Sequence, residues 1–393
     1  MQNLLAVVLV TTSGLLLDPR LPSTPRCASR SSAIGGIDGG VAMQAPPDVA
    51  PAAAPAEKPQ ATTATMGSPD SDWGGLPGAV KASKCGAINN QIVKTTDAEA
   101  VLKLTVKHHD MLNSVNTATA LHRIAGHLKR TRAQRDRVIR DDRFIALLDM
   151  VADNAPKCNP RSVSDTLWAF ATLQHWPPSM LKPLLTQVAV HLQNKAFEAQ
   201  HLALIVWSFA ILELKPVKLL DAIDTAALSQ LRSLNTQNVA NILWGFAKLN
   251  YKPQALLGPI CNKLLNEPGF VAEMKPVEIT DTAFALALLG DATEHKDVIL
   301  RLAVRAQPSD ILSSFNSRQV VTLTWACARL QIRPPELDAW VERVQELHAK
   351  QPLLAQDQRN LERALERFDV SSDWLRPEPA DDEAVEDGAT PAH

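Results

Sequence analysis

Seven cations crowd into the segment KRTRAQRDRVIRDDR: Lys129, Arg130, Arg132, Arg135, Arg137, Arg140 and Arg143. Asp136, Asp141 and Asp142 are too few to pair with all of them, and between Lys103 and Arg143 ten Lys and Arg face four Asp. Together with Arg123 just upstream, such a run is suited to touching the phosphates of a nucleic acid, with an affinity that falls as salt rises. It is equally the composition of a solvated helix face whose charges pair at i,i+4. Other chemistry finds little support. The spacings GxxxxGK[ST], HExxH, GxSxG and GxGxxG do not occur, and carboxylates do not recur in a register that would pair them on one face. The five cysteines, Cys27, Cys85, Cys158, Cys261 and Cys327, are scattered without CxxC or Cys/His ligand spacing. The expectation is a protein that is not an enzyme, with no catalytic residue, no metal and no cofactor.

The elements that position these cations are announced by a repeat. TLWAFATL, IVWSFAIL, ILWGFAKL, TAFALALL and LTWACARL are one pattern, anchored at Trp168, Trp207, Trp244, Phe284 and Trp325 with spacings of 39, 37, 40 and 41 residues. A degenerate earlier copy, TALHRIAGH, places His122 in the anchor column, 46 residues before Trp168. Three residues after each anchor stands an Ala, and five after it, in all copies but the first, a Leu. Apolar residues near −5, −2/−1, +2 and +5 mark one helical face, and the −4, 0 and +3 series marks a second. Trp in such a register reads as packing rather than as a platform for stacked bases.

Nine residues before the anchor stand Asn113, Asn159, Asn235 and Asn316, suited to accept from the orphan amides that open a helix. Pro-bearing turns follow the helix (Pro177, Pro216, Pro253, Pro334), and a second apolar segment follows each turn. The fold class expected is all-α: an α-solenoid of about six two-helix repeats of roughly 37–46 residues, stacked face to face. The fourth copy departs from the rule, with Phe284 as anchor and GDATEHKD in place of the Pro turn.

Six residues before the anchor runs a polar, variable column: Asn116, Ser162, His201, Asn238, Glu278 and Gln319. In helical repeats that read one base each, such a column meets the edges of unstacked bases. The competing role is local, because this is the third helical position after the Asn and can complete a capping box. Lys248 and Arg329 share the +4 position and could reach phosphate.

Composition agrees with a helical chain: 393 residues, 46% hydrophobic, only 5% aromatic, 16 Gly against 27 Pro, and a formal net charge of −2. A uniformly basic nucleic-acid binder is thereby excluded and only a local patch is left. Residues 1–33 read as a targeting segment, an apolar signal core from Leu4 to Leu17 followed by Arg- and Ser-bearing transit-like sequence; it favours plastid import, with the mitochondrial matrix as the alternative. Residues 34–95 read as a disordered Ala/Pro-rich linker, 96–350 as the repeat array, 351–374 as a capping helix and 375–393 as an acidic disordered tail, with no membrane span in the mature protein.

The core VANILWGFAKLNYKP, Val239 to Pro253, resembles the octotricopeptide-like repeats of algal organelles. It is similar also to the leucine-rich helical region of FAST-kinase-like proteins and to the helical repeats of the RNA-editing substrate-binding complex. The likeness covers roughly residues 105–350. It implies an organelle-imported protein that binds single-stranded organellar RNA, alone or with ribonucleoprotein proteins. The work implied is RNA processing, mRNA stability, translation or rRNA assembly. Many such relatives end in a small RAP domain, which is not expected here, because only a capping helix and the tail follow the last copy. The rival expectation is an armadillo- or HEAT-like scaffold for protein partners, or a structural subunit of an organellar ribonucleoprotein.

Overall fold

The computed structural model describes residues 78–290 and 295–375, and all regular structure among them is helical. The expected targeting segment, the linker up to residue 77 and the acidic tail beyond Leu375 lie outside these residues. The described residues form two compact units that divide between Leu289 and Gly290.

The first unit opens with α1 (Gly78–Val93) and α2 (Ala98–Lys107), followed by α3 (Ser114–Leu128), α4 (Arg132–Val138) and α5 (Asp142–Asn154). It continues through α6 (Pro160–Leu173), α7 (Pro178–Gln193), α8 (Ala199–Ile211), α9 (Val217–Ser229), α10 (Thr236–Lys248), α11 (Leu257–Asn266), α12 (Pro268–Ala272) and α13 (Pro276–Leu289). The second unit holds α14 (Lys296–Arg305), α15 (Ser309–Leu312), α16 (Ser317–Arg329), α17 (Leu337–Lys350) and α18 (Ala355–Glu366). The anchors sit on α3, α6, α8, α10, α13 and α16, and the expected capping helix is α18, whose one face packs on α16.

Four of the six anchor helices start on an Asn cap. Asn159 Oδ1 accepts from the Ser162 amide at 2.8 Å, Asn235 Oδ1 from Asn238 at 2.8 Å and Asn316 Oδ1 from Gln319 at 3.0 Å; Asn113 accepts from Val115 and Asn116. The stop is shared too. Gln174, Glu213, Asn250 and Gln331, each six residues past its anchor, take a left-handed φ of 47–56°. The next amide reaches back to the carbonyl of Phe170, Phe209, Phe246 or Cys327, which closes the helix with the double bond of a Schellman turn.

Within the first unit α3, α6, α8, α10 and α13 pack each against the next, and α7 and α9 lie behind them. The deepest aromatic column is not the anchor but the residue two beyond it: Phe170, Phe209 and Phe246 are fully buried. From α6 to α13 the residue one beyond the anchor is small, and in α10 it meets the preceding anchor helix. A Cβ on Gly245 of α10 would stand 2.7 Å from Val206 Cγ1 and 3.0 Å from the Val206 carbonyl oxygen of α8. Ala169, Ser208 and Ala285 fill the same position in α6, α8 and α13, and all are fully buried.

One boundary is corrected. Residues Gly78–Val93, expected within the disordered linker, form α1, because Cys85, Ile88 and Ile92 bury themselves as this helix packs on α3. Asn116 of α3 secures the contact by donating to the Cys85 carbonyl at 3.0 Å.

Candidate nucleic-acid interface

The cationic segment follows α3 as an insertion: where later repeats turn on a proline, the chain makes the short helix α4. Lys129, Arg130, Arg132, Arg137 and Arg140 are exposed along it. Arg143, Arg123 and Arg135 are less exposed. Arg143 holds both carboxylate oxygens of Glu99 at 2.8 Å and those of Asp141 at 2.7 and 2.9 Å, so it ties α2 to the start of α5. Those bonds from Arg143 hold the Glu99 and Asp141 carboxyls below their ordinary range and keep the guanidinium charged. Arg123 donates to the Thr95 carbonyl, and Arg135, with little of its side chain exposed, lies 3.8 Å from Asp136. Arg143 and Arg123 are therefore corrected from phosphate contacts to structural ties, while Arg135 turns most of its side chain away from solvent beside Asp136. The same pairing takes up Asp136 and Asp141, two of the three acidic residues in the segment, which concentrates positive charge on the exposed five.

The polar column six before the anchor turns inward. Asn116, Ser162, Asn238 and Glu278 are buried, while His201 and Gln319 are half-buried. Its acceptors serve helix starts: Asn116 Oδ1 takes the Asn113 amide, His201 Nδ1 the Glu198 amide at 3.2 Å, Glu278 Oε2 the Lys275 amide at 2.9 Å and Gln319 Oε1 the Asn316 amide at 2.9 Å. The reading of this column as base contacts is corrected for Asn116, Ser162, Asn238 and Glu278, which are buried, while the half-buried His201 and Gln319 each spend an acceptor on a helix start.

Solvent meets the anchor helices elsewhere. In all six the residues at −7 and +4 remain exposed or half-buried: Val115, Arg161, Gln200, Gln237, Val277 and Arg318 at one end, Gly126, Thr172, Ile211, Lys248, Leu288 and Arg329 at the other. At about 100° per residue, −7, −3, 0 and +4 form one stripe about 60° wide, and −6 lies roughly 90° round from its centre. The anchors border this stripe. Trp168, Trp207, Trp244 and Phe284 are buried at 3–8% exposure, whereas Trp325 is half-buried. Lys248 Nζ lies 6.0 Å from the Trp244 ring centroid and the Arg329 guanidinium 5.7 Å from that of Trp325, within the range of a cation–π contact.

The stripe is most polar where α3, α6 and α8 meet. The His122 ring lies against Trp168 with centroids 4.4 Å apart, and Arg161 Nε is 3.6 Å from Asp165 Oδ2. Burial holds the His122 imidazole below its ordinary pKa, with Arg161 and Arg123 adding to the effect and Asp165 opposing it. Burial likewise lowers that of His201, and there too Asp165 opposes. Both rings are thus favoured neutral near pH 7.

From the residues alone only Lys248 and Arg329 at +4 pointed to this stripe, although one further signal was available. The small residues at +1, Ala169, Ser208, Gly245 and Ala285, mark the sector closed by the neighbouring helix. No group of three or more His, Cys, Asp or Glu able to hold a metal is found among the described residues. No helix among them is long and apolar enough to cross a membrane.

Comparison with known proteins gives this arrangement a context. A chloroplastic RAP domain-containing protein of Oryza sativa subsp. japonica is 29% identical over 193 residues, an alignment covering 36% of this chain and 30% of that protein. The chain thus spans under a third of that relative's length. The family described as RNA-editing substrate-binding complex 6 protein matches residues 135–381, which takes in the end of α4 and every later described helix. With more than half its length inside that match, the chain belongs to the RNA-editing substrate-binding complex 6 protein family.

Proposed function

We propose that the protein is a non-enzymatic, organellar RNA-binding helical-repeat protein that acts in post-transcriptional RNA metabolism by holding single-stranded RNA. The observation that carries this reading is the cationic insertion at α4. Five exposed Lys and Arg project beside an anchor helix, while two of the three neighbouring acids, Asp136 and Asp141, lie against Arg135 and Arg143. Phosphate contacts of this kind supply sequence-independent affinity, and the remaining anchor helices supply length along which a strand can lie. Family membership and the chloroplastic relative support the RNA and organelle assignments. The transit-like residues 1–33 favour the plastid over the mitochondrion.

Binding of the purified chain to single-stranded RNA at low and at physiological salt tests the reading. Tight binding at low salt that weakens at higher salt is expected; no binding, or binding indifferent to salt, overturns it. The apolar members of the exposed stripe, Val115, Ile211, Val277 and Leu288, favour a second reading, a surface for a protein partner within a ribonucleoprotein. A co-purifying polypeptide retained after nuclease treatment, from a chain that fails to bind RNA, would favour that one.

A further inference from the structure

We infer that bases meet the first unit along the solvent-facing −7 and +4 stripe, and that its best-formed station, built on the partly exposed Asp165 at −3 of α6, selects a base carrying an amino group. The inference rests on the RNA-binding reading above and adds to it where bases, rather than phosphates, are met.

Three observations converge. The −6 column is buried or spends an acceptor on a helix start, whereas −7 and +4 reach solvent in every anchor helix. The −3 residue lies between those two columns on the same stripe, next to the anchor ring. In the first unit this position holds Thr119, Asp165, Leu204, Asn241 and Asp281; Leu204, Asn241 and Asp281 are buried, so only Thr119 and Asp165 reach solvent.

Of these, Asp165 is the best placed. Its side chain is 21% exposed, and Arg161 beside it is 78% exposed. His122 of α3 and His201 of α8 lie near enough on either side to feel its charge, and Trp168 follows one turn along. The His201 Nδ1 accepts the Glu198 amide, so in the neutral ring the proton is on Nε2. A base edge entering here meets a carboxylate that accepts hydrogen bonds and cannot donate one. Adenine, cytosine and guanine each offer an amino donor on the pairing edge. Uracil offers only its N3–H there, flanked by two carbonyl oxygens that a carboxylate repels, and is disfavoured.

The test is selection of bound sequences from a random single-stranded RNA pool by the full chain, comparing the unaltered protein with Asp165→Asn and with Arg132→Ala/Arg137→Ala/Arg140→Ala. The unaltered protein should disfavour uracil by at least about five-fold at one register position, a discrimination of the size that one good base contact provides. Asp165→Asn, which adds a donor, should abolish that discrimination while leaving affinity for the pool within about three-fold. The triple variant should weaken binding to all sequences and keep the preference. Gln237→Glu on α10 serves as a second arm if Asp165→Asn fails to fold, and should create a new bias against uracil. Retained RNA binding with no preference, or with a preference that neither Asp165→Asn nor Gln237→Glu moves, overturns this inference and leaves the functional reading standing. Absence of binding by the unaltered protein overturns both.

Discussion

Replacing Gly245 by Ala probes the closest approach between two repeats. In an exposed helix interior this change stabilises by about 1 kcal/mol, because Gly gives up more backbone freedom on folding. Here the new Cβ would lie 2.7 Å from Val206 Cγ1, 3.0 Å from the Val206 carbonyl oxygen and 3.1 Å from its carbonyl carbon. The methyl could be relieved by a rotamer change, but the carbonyl belongs to the backbone of α8, so α8 and α10 must separate by some tenths of an ångström. Overpacking of a close-packed contact costs about 1–3 kcal/mol. Set against the propensity gain, the net loss should be about 0–2 kcal/mol, and centrally about 1 kcal/mol. For a unit of this size that lowers the melting temperature by about 2–4 °C. Thermal unfolding followed by circular dichroism reads it, and Val206→Ala in the Gly245→Ala background should recover only the part due to Cγ1. A Gly245→Ala variant that melts about 3 °C higher than the unaltered chain would refute the tight α8–α10 packing and the explanation of small residues at the +1 position.

Replacing Gln174 or Glu213 with Gly should raise stability by about 1 kcal/mol each, since both hold a left-handed φ that costs a residue with a Cβ about that much; chemical denaturation would read the shift, and a loss would refute the Schellman assignment. Phe209→Ala should cost about 3–5 kcal/mol, more than Trp325→Ala, because Phe209 is fully buried and Trp325 is partly exposed; equal or reversed costs in urea unfolding would place the core on the anchors instead. Stability should fall as pH drops below about 6.5, because burial depresses the pKa of His122, His127, His175 and His201 and the unfolded chain then binds more protons. His122→Phe, which keeps a ring against Trp168, should flatten that dependence in melts between pH 7 and 5.5, and an unchanged slope would show that His122 does not contribute.

How much of this was legible in the sequence follows from what each residue has to do locally. The Asn caps and anchor helices could be read directly, since an Asn nine residues before an aromatic with Ala at +3 satisfies orphan amides whatever surrounds it. The second helices were legible for a similar reason: Pro177 and Pro216 stop one helix and admit the next. Which sector of an anchor helix meets solvent was not, because buried polar residues such as Asn238 and Glu278 look like surface residues until their partners in the first turn are known. Helix α1 was hidden for the opposite reason: GAVKASKCGAINNQIV has the composition of a linker and is ordered through a few residues, Cys85, Ile88 and Ile92, that bury in a contact distant in sequence. The basic segment was visible, but its division into structural and exposed cations depended on Glu99, more than forty residues from Arg143 along the chain.

The claim that the exposed cations at α4 neutralise RNA phosphates is tested most directly by the salt dependence of single-stranded RNA binding, measured for the unaltered chain and for Arg132→Ala/Arg137→Ala/Arg140→Ala. Each phosphate contact contributes about −0.7 to the slope of log K against log salt, so removing three should make the slope about 2 shallower while the fold, read by circular dichroism, stays intact. An unaltered slope in a folded triple variant would contradict the account.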